Sequence, residues 1–164
     1  MSAVKALVLR CAGTNCNVET RWALEKAGAE VDEVHVNALL KDGRKLRDYG
    51  LMVIPGGFSF GDDVASGKVL ANKLLHGLRE SLGAFVEAKR PLIGICNGFQ
   101  VLVKCGLLPG FDGWDKELSV TLTDNDSGKF EGRWTFLKTN TRRCLFTKGL
   151  PDVFPLPVAH GEGK

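Results

Sequence analysis

Short apolar runs alternate with longer amphipathic stretches along the first two thirds of the sequence. The apolar runs have the length and composition of buried strands, and they lie at residues 3–9, 31–36, 51–54 and 92–95. The order strand, helix, strand favours right-handed crossovers into a mostly parallel sheet. The sequence therefore predicts an α/β fold, in which a mostly parallel open sheet carries helices on both faces.

The stretches between these runs predict the helices. They lie at residues 18–26, 38–49, 64–90 and 98–104. Asn17 is a candidate N-cap of the first helix, and Gly28 lies where a left-handed C-cap is expected. Gly43 weakens the second helix, and Gly77 and Gly83 predict breaks in the third.

The carboxyl-terminal third has a different pattern. Residues 118–125 and 130–140 are rich in β-forming residues, and the Asp-Ser-Gly-Lys turn between them predicts an antiparallel hairpin, a β extension of the parallel sheet. Residues 151–161 are proline-rich and predict a loop or an edge strand. A doubly wound sheet normally has a further strand and helix, so we expect one domain over residues 1–164 that is truncated and lacks its last strand and helix.

Composition and charge narrow the class of protein. Hydrophobic residues make up 44% of the chain, charged residues make up 25%, and the net charge of +3 forms no basic run that would bind nucleic acid. No stretch approaches the ~20 apolar residues of a membrane span. The five cysteines include no Cys-x-x-Cys pair, which favours reduced thiols and no metal site. We expect a cytoplasmic protein with a small-molecule or protein partner.

Cys96 lies between the fourth predicted strand and the helix that follows it, in the sequence Gly-Ile-Cys-Asn-Gly. This pattern is the cysteine version of a nucleophile elbow, in which a sharp turn exposes the nucleophile at the start of a helix. The helix N-terminus stabilises a thiolate, and the N–H of Asn97 would face a developing oxyanion. The alternative is a buried, unreactive cysteine, the interpretation that we adopt for Cys105 in its apolar run.

The loop that begins at Pro55 follows the third predicted strand. Because the carboxyl ends of parallel strands meet at one edge of a sheet, this loop and the Cys96 turn are expected to lie side by side. Asp62 and Asp63 are adjacent carboxylates in this loop, and adjacent side chains face different ways. They predict a solvated turn rather than a metal site.

Four motifs resemble the class I glutamine amidotransferases. They are GTNC at 13–16, PGGFSFGDD at 55–63, GICNGFQ at 94–100 and AHGEG at 159–163. The set is most similar to the small glutaminase subunits of phosphoribosylformylglycinamidine synthases, enzymes of purine biosynthesis, and the likeness covers nearly all of the chain. The resemblance implies a flavodoxin-like sheet and a Cys–His–Glu triad that hydrolyses glutamine through a cysteine thioester.

The resemblance also implies partners and residue roles. Ammonia would pass to a large synthetase subunit, with a small accessory subunit as a further partner. This subunit would need no cofactor, and ATP and Mg²⁺ would bind only to the synthetase. Cys96 would be the nucleophile. The residues implied for the oxyanion hole and the substrate pocket are Gly56, Gly57, Phe58, Asn97 and Gln100.

The general base of the triad has two possible sources. Of the three histidines, only His160 has the His-x-Glu spacing of the triad, with Glu162 as the orienting carboxylate. In the family, AHGEG resembles an earlier motif and the triad pair lies in a later His-Pro-Glu segment. Either His160 and Glu162 supply the base, or the pair belongs to a longer protein. Two other functions stay open: a stand-alone cysteine hydrolase, and a glutamine-binding or regulatory subunit without catalysis.

The 164-residue chain alone is expected to show weak or no glutaminase activity, because the family's base segment is not part of it. Ammonia release from glutamine, measured with a coupled assay, checks this. Full glutaminase turnover by the isolated chain would contradict the expectation.

Overall fold

The computed structural model describes residues 3–110, 114, 118–139 and 144–164. Contacts divide the chain into two compact units, Met1–Thr121 and Leu122–Lys164. The first unit contains a four-stranded parallel sheet with its helices, and the second contains a two-stranded antiparallel sheet. The assignment of a single domain to residues 1–164 stays a prediction.

The parallel sheet has the strand order β2-β1-β3-β4. Its strands are β1 (Lys5–Arg10), β2 (Glu30–His35), β3 (Leu51–Ile54) and β4 (Leu92–Gly94). All four predicted strands are confirmed, with small shifts at their ends. The order reverses between β1 and β3, and in such sheets the loops after those strands form a crevice where ligands bind.

Among the described residues, five α-helices follow or connect these strands. They are α1 (Asn17–Lys26), α2 (Val36–Lys41), α3 (Lys68–Gly77), α4 (Arg79–Glu87) and α5 (Asn97–Lys104). The predicted helix over residues 38–49 is wrong as one element, because α2 ends at Lys41 and a 3₁₀ turn follows at Gly43–Asp48. Asp42 separates the two with an extended backbone, and its carboxylate accepts a hydrogen bond from the Arg44 N–H.

Two further details of the helices differ from the prediction. Asn17 is the first helical residue of α1, and Cys16 takes the N-cap position. Gly83 lies inside α4 without a break, because Leu82 and Phe85 on the same helix are buried in the core. The predicted break at Gly77 is confirmed, since α3 ends there.

The parallel sheet is covered on both faces, as the fold class predicts. Successive side chains of β1 point to opposite faces. Leu7 and Leu9 belong to a large core that residues of α3, α4 and α5 complete. Ala6 and Val8 belong to a smaller cluster, against which Leu24 of α1 packs. Residues 6–9 of β1 are all buried, so both faces of this central strand are covered.

The antiparallel sheet pairs β5 (Glu131–Lys138) with β6 (Val153–His160). The predicted hairpin between residues 118–125 and 130–140 is wrong in its first strand, and residue 140 lies outside the described residues. β6 is the proline-rich segment, with Pro155 opposite Phe136 and Pro157 opposite Trp134. The two prolines are two residues apart, so both present their missing N–H to the free edge of the strand.

The buried face of α4 is expected to contribute strongly to stability. Leu82 is fully buried and Val86, on the same helix, is 39% exposed. Leu82→Ala should lower the free energy of unfolding by about 2–5 kcal/mol, because the truncated side chain leaves a cavity. Val86→Ala is the matched control and should cost about 0.5 kcal/mol or less. Urea unfolding followed by circular dichroism measures both, and equal losses would contradict the packing described.

Candidate active site

Cys96 occupies the sharp turn between β4 and α5. It is the N-cap residue of α5, its backbone angles are φ 53° and ψ −110°, and its side chain is exposed. A non-glycine residue at positive φ is strained, and such strain is concentrated at functional sites. The predicted strand, turn and helix around Cys96 are confirmed, and the geometry is that of a nucleophile elbow.

Gly94 and Gly98 on either side of the turn have no room for side chains. A Cβ at Gly94 would lie 2.5 Å from the carbonyl oxygen of Gly98. A Cβ at Gly98 would overlap the carbonyl oxygen of Ile54, the last residue of β3. The two glycines therefore let α5 pack directly against the backbone at the end of the sheet.

The loops after β1 and β3 are joined by backbone hydrogen bonds. The Phe58 N–H donates to the Gly13 carbonyl at 2.9 Å, and the Cys16 N–H donates to the Gly56 carbonyl at 3.3 Å. Gly57 lies between these bonds with φ 139°, and a Cβ there would lie 2.7 Å from the Gly13 carbonyl oxygen. The close contact with the β1 loop thus requires glycine at position 57.

Gly56 lies beside two cysteines. A Cβ built at Gly56 would lie 3.4 Å from Cys16 Sγ and 3.6 Å from Cys96 Cβ. These contacts bring the β3 loop next to the elbow, as the sequence predicts. Residues 13–17 follow β1, and the sequence allows this segment to reach the same edge of the sheet or Cys16 to be only a helix-start residue. The structure shows both, because Cys16 is the N-cap of α1 and lies beside Gly56.

The side chain of Asn97 links the elbow to the β3 loop. It is 3% exposed, its Oδ1 accepts from the Ser59 N–H at 3.1 Å, and its Nδ2 donates to Asp62 Oδ1 at 2.8 Å. Nδ2 also lies 3.2 Å from the Gln100 side-chain oxygen, which accepts from it. We call these four residues the Asn97 clamp. It fixes the residue whose N–H is the predicted oxyanion donor.

Asp62 has a role at the site that the sequence did not predict. The prediction of a solvated turn is wrong for Asp62, because its carboxylate accepts from both Asn97 Nδ2 and the Gly67 N–H, the latter at 3.1 Å. Asp63 is exposed, as expected. The β3 loop has positive φ at Phe60, Asp62 and Val64. This backbone turns the carboxylate of Asp62 inward and leaves that of its neighbour, Asp63, outside.

Phe58 and Gln100, both predicted to hold substrate, differ in their surroundings. The Phe58 side chain is 58% exposed beside Gly57, whereas Gln100 is 8% exposed and bonded to the Asn97 amide. Contact of either residue with glutamine stays a prediction. The hydrogen bond from Asn97 makes Gln100 a member of the Asn97 clamp, whether or not it contacts substrate.

The other cysteines of the first unit are Cys11, Cys16 and Cys105, and their surroundings raise the pKa of each thiol, which lowers its reactivity. Burial raises the pKa of Cys105 to about 11, and it also raises the pKa of Cys11. The pKa of Cys16 is raised by burial, then by the charges of Glu19 and Cys96. The interpretation of Cys105 as a buried, unreactive cysteine agrees with this environment.

His160 and Glu162 belong to the second compact unit, whereas Cys96 belongs to the first. His160 ends β6, and its Nδ1 lies 2.9 Å from Asn125 Oδ1. Glu162 forms a single bridge with Asp124. The described partner of the imidazole is therefore an amide, and the assignment of this pair as base and orienter stays a prediction.

The part of the chain that the structure describes contains neither a metal site nor a membrane-spanning helix. No group of three or more His, Cys, Asp or Glu side chains there could hold a metal ion. Across the same residues, every helix is too short or too polar to cross a bilayer.

Comparison with known proteins gives consistent matches. Residues 3–164 match the CobB/CobQ-like glutamine amidotransferase domain. The chain is 50% identical to phosphoribosylformylglycinamidine synthase subunit PurQ of Dehalococcoides mccartyi, over 100% of this chain and 64% of that protein. It is 44% identical to the PurQ subunit of Methanococcus maripaludis, over 98% of this chain and 58% of that protein. The chain therefore spans 58–64% of the length of these two relatives.

A solved structure gives the same result. PurLQS from Thermotoga maritima contains a chain that matches with a TM-score of 0.77 and 32% identity, over 99% of this chain and 69% of that one. The resemblance drawn from the four motifs is confirmed by these matches, and so is the predicted fold class.

Removal of the Asp62 carboxylate is expected to loosen the Asn97 clamp. Asp62→Ala leaves two N–H donors without their acceptor and should lower the free energy of unfolding by about 1–3 kcal/mol. Asp62→Asn keeps an acceptor oxygen and should recover part of the loss. Asp63→Ala is the matched control and should change stability by about 0.5 kcal/mol or less. Equal unfolding midpoints for Asp62→Ala and Asp63→Ala in urea would contradict the clamp.

Proposed function

This chain belongs to the CobB/CobQ-like glutamine amidotransferase family, and we propose that it is the glutaminase part of a phosphoribosylformylglycinamidine synthase. The observation that carries the proposal is the strained, exposed Cys96 at the start of α5, next to the glycine pair that follows β3. An elbow beside a second glycine-rich loop supplies an exposed nucleophile and backbone N–H groups, both of which serve amide hydrolysis by a thiol.

Cys96 Sγ is the proposed nucleophile. The thiolate attacks the side-chain amide carbon of glutamine, and the carbonyl oxygen becomes an oxyanion. Asn97 is the first residue of α5, so its N–H has no acceptor within the helix and is available to that oxyanion. Gly57 is proposed to supply the second N–H. One such N–H donor typically raises the reaction rate about 10²–10³-fold. The Asn97 clamp therefore matters for catalysis, because it fixes the residue that supplies this donor.

The tetrahedral intermediate collapses when the carbon–nitrogen bond breaks and the nitrogen takes a proton, which releases ammonia and leaves a thioester on Cys96. Water then attacks the thioester, and glutamate leaves as the thiol is restored. A base must accept a proton from the attacking thiol, and later from the attacking water, and must give a proton to the leaving nitrogen. His160 oriented by Glu162 is the pair within this chain with the required chemistry.

Gly56, Phe58 and Gln100 are proposed to complete the glutamine pocket. Gly56 leaves space beside Cys96, because a Cβ there would contact both neighbouring cysteine side chains. The exposed ring of Phe58 lies at the same loop and offers an apolar surface to the methylene groups of glutamine. Gln100 is proposed to act at the base of the pocket through Asn97.

The proposed partner is a large synthetase subunit that consumes the ammonia, together with a small accessory subunit. The match to a chain of PurLQS supports this assembly. Ammonia is mostly protonated near neutral pH and is then no nucleophile, so direct transfer between subunits keeps it reactive. We propose that ATP and Mg²⁺ bind to the synthetase, that this chain needs no cofactor, and that the protein is cytoplasmic.

A diazo-ketone analogue of glutamine tests the proposal. It should alkylate Cys96 alone, because only this cysteine combines exposure with the elbow, and free glutamine should prevent the reaction. Peptide mass spectrometry identifies the modified residue. Cys96→Ser should abolish labelling, and Cys144→Ser should leave it unchanged.

The outcomes separate the alternatives. Labelling of Cys96 that glutamine does not suppress would favour a cysteine hydrolase with another substrate. Glutamine binding by calorimetry without labelling would favour a subunit that binds glutamine without catalysis. His160→Ala tests the base: a slower rate of labelling supports His160, and an unchanged rate excludes it from activating the thiol.

A further inference from the structure

Cys16 and Cys96 share the space that Gly56 leaves open. The position of a Gly56 Cβ would lie 3.4 Å from Cys16 Sγ, 3.7 Å from Cys16 Cβ and 3.6 Å from Cys96 Cβ. The distance between the two cysteine Cβ atoms therefore cannot exceed the sum of the last two values. A disulfide needs Cβ atoms about 3.5–4.5 Å apart. Rotation about χ1 moves only the Sγ atoms, so the loops that carry the two cysteines must bring their Cβ atoms within that span for the bond to form.

The two cysteines are also accessible, unlike the others of the first unit. Cys96 is exposed and Cys16 is half-buried, whereas Cys11 and Cys105 are buried. The Cys16 N–H is bonded to the Gly56 carbonyl, which holds Cys16 at the elbow. An oxidant in solution therefore reaches the nucleophile first and finds a second thiol beside it.

We propose that Cys16 is a resolving thiol, which forms a reversible disulfide with Cys96 when a hydroperoxide oxidises the nucleophile. In the first step the Cys96 thiolate attacks one oxygen of hydrogen peroxide, the O–O bond breaks, and a sulfenic acid and hydroxide form. In the second step Cys16 sulfur attacks the Cys96 sulfur, the S–O bond breaks, and hydroxide leaves with the Cys16 proton as water. Two thiols lose two electrons and two protons, and the peroxide becomes two waters.

The order of the two steps follows from the surroundings of Cys16. Burial and the nearby Glu19 raise the pKa of its thiol, and the S–H donates to Asn15 Oδ1 at 3.1 Å. Cys16 is thus mostly a thiol, a poor target for peroxide, and it is held against the loop. Both cysteines are N-cap residues, Cys16 of α1 and Cys96 of α5, so the greater exposure of Cys96 and the raised pKa of Cys16 make Cys96 the sulfur that reacts first.

The disulfide would have two consequences, of which the first rests on the proposed function. It removes the nucleophile, so glutamine hydrolysis stops until a thiol reductant restores it. It also prevents further oxidation of Cys96 to sulfinic acid, which thiols do not reverse. The pair therefore protects the elbow from irreversible damage.

Mass spectrometry of the oxidised protein tests the proposal without any assay of glutaminase activity. The full chain is treated with hydrogen peroxide, its free thiols are blocked, and it is digested with trypsin without reduction. The peptide of residues 11–21 contains both Cys11 and Cys16, and residues 90–104 contain Cys96. Fragment ions between positions 11 and 16 identify the bonded cysteine. We expect a Cys16–Cys96 bond that dithiothreitol reverses.

Three variants make the test specific. In Cys16→Ser the sulfenic acid has no resolving thiol, so trapping of Cys96 by dimedone should rise about tenfold over the wild type. Cys11→Ser should behave as the wild type. Gly56→Ala adds a methyl in ordinary van der Waals contact with both cysteine side chains, so the fold is kept while the room for the bond shrinks, and the disulfide should form more slowly.

Other outcomes would overturn the inference. They are equal dimedone trapping in the wild type and Cys16→Ser, a bond between Cys11 and Cys16, or a bond between two molecules. Labelling by the glutamine analogue before oxidation reports the proposed function separately. A protein that forms the Cys16–Cys96 bond but ignores the analogue would keep this inference and refute the glutaminase proposal.

Discussion

The side-chain amide of Asn97 holds the strained turn at Cys96 against the loop that follows β3. Its three hydrogen bonds reach Ser59, Asp62 and Gln100. A positive φ at a non-glycine residue costs on the order of 1–3 kcal/mol, and each buried hydrogen bond contributes about 0.5–1.5 kcal/mol net. The three bonds together can offset the strain, and this is why the turn persists. The exposed thiol and its oxyanion donors depend on that balance.

Steric contacts then fix what surrounds the turn. Gly98 lies against the end of β3, and Gly57 lies against the loop after β1. Because β1 and β3 are the central strands of the sheet, their loops meet where the strand order reverses. The elbow, the glycine pair and the β1 loop are thereby brought together by topology, and at Gly57 and Gly98 only backbone without a side chain fits. The second thiol, Cys16, lies at the elbow for the same reason.

The sequence predicted well those features that depend on local pattern. The four parallel strands, the turn at Cys96 and the approach of the Gly56 loop all follow from apolar runs and from the glycines. Features that depend on tertiary contacts were predicted less well. Gly83 does not break α4, since the burial of its neighbours holds the helix, and the partner of β5 is the distant β6 rather than the nearby run at residues 118–125.

The inward carboxylate of Asp62 shows most clearly what a local sequence pattern does not predict. Two adjacent aspartates are alike in sequence, and only the left-handed backbone of their loop distinguishes the one that binds Asn97 from the one that faces water. The same holds for Cys16, whose sequence neighbours do not reveal that Gly56 lies between it and Cys96. Contacts between separate loops depend on the assembled sheet, so no local pattern of residues encodes them.

Hydrogen exchange at the Ser59 amide reports on the hold of Asn97 over the elbow, because that N–H donates to Asn97 Oδ1 across the gap between the two loops. We expect the Ser59 amide to be protected from exchange in the wild type. In Asn97→Ala its exchange should be faster by roughly tenfold, the equivalent of one lost hydrogen bond. The Phe60 amide, bonded to the Ala12 carbonyl, should keep its protection and serves as the internal control. Equal exchange of Ser59 in both proteins would show that the elbow is held by something other than Asn97.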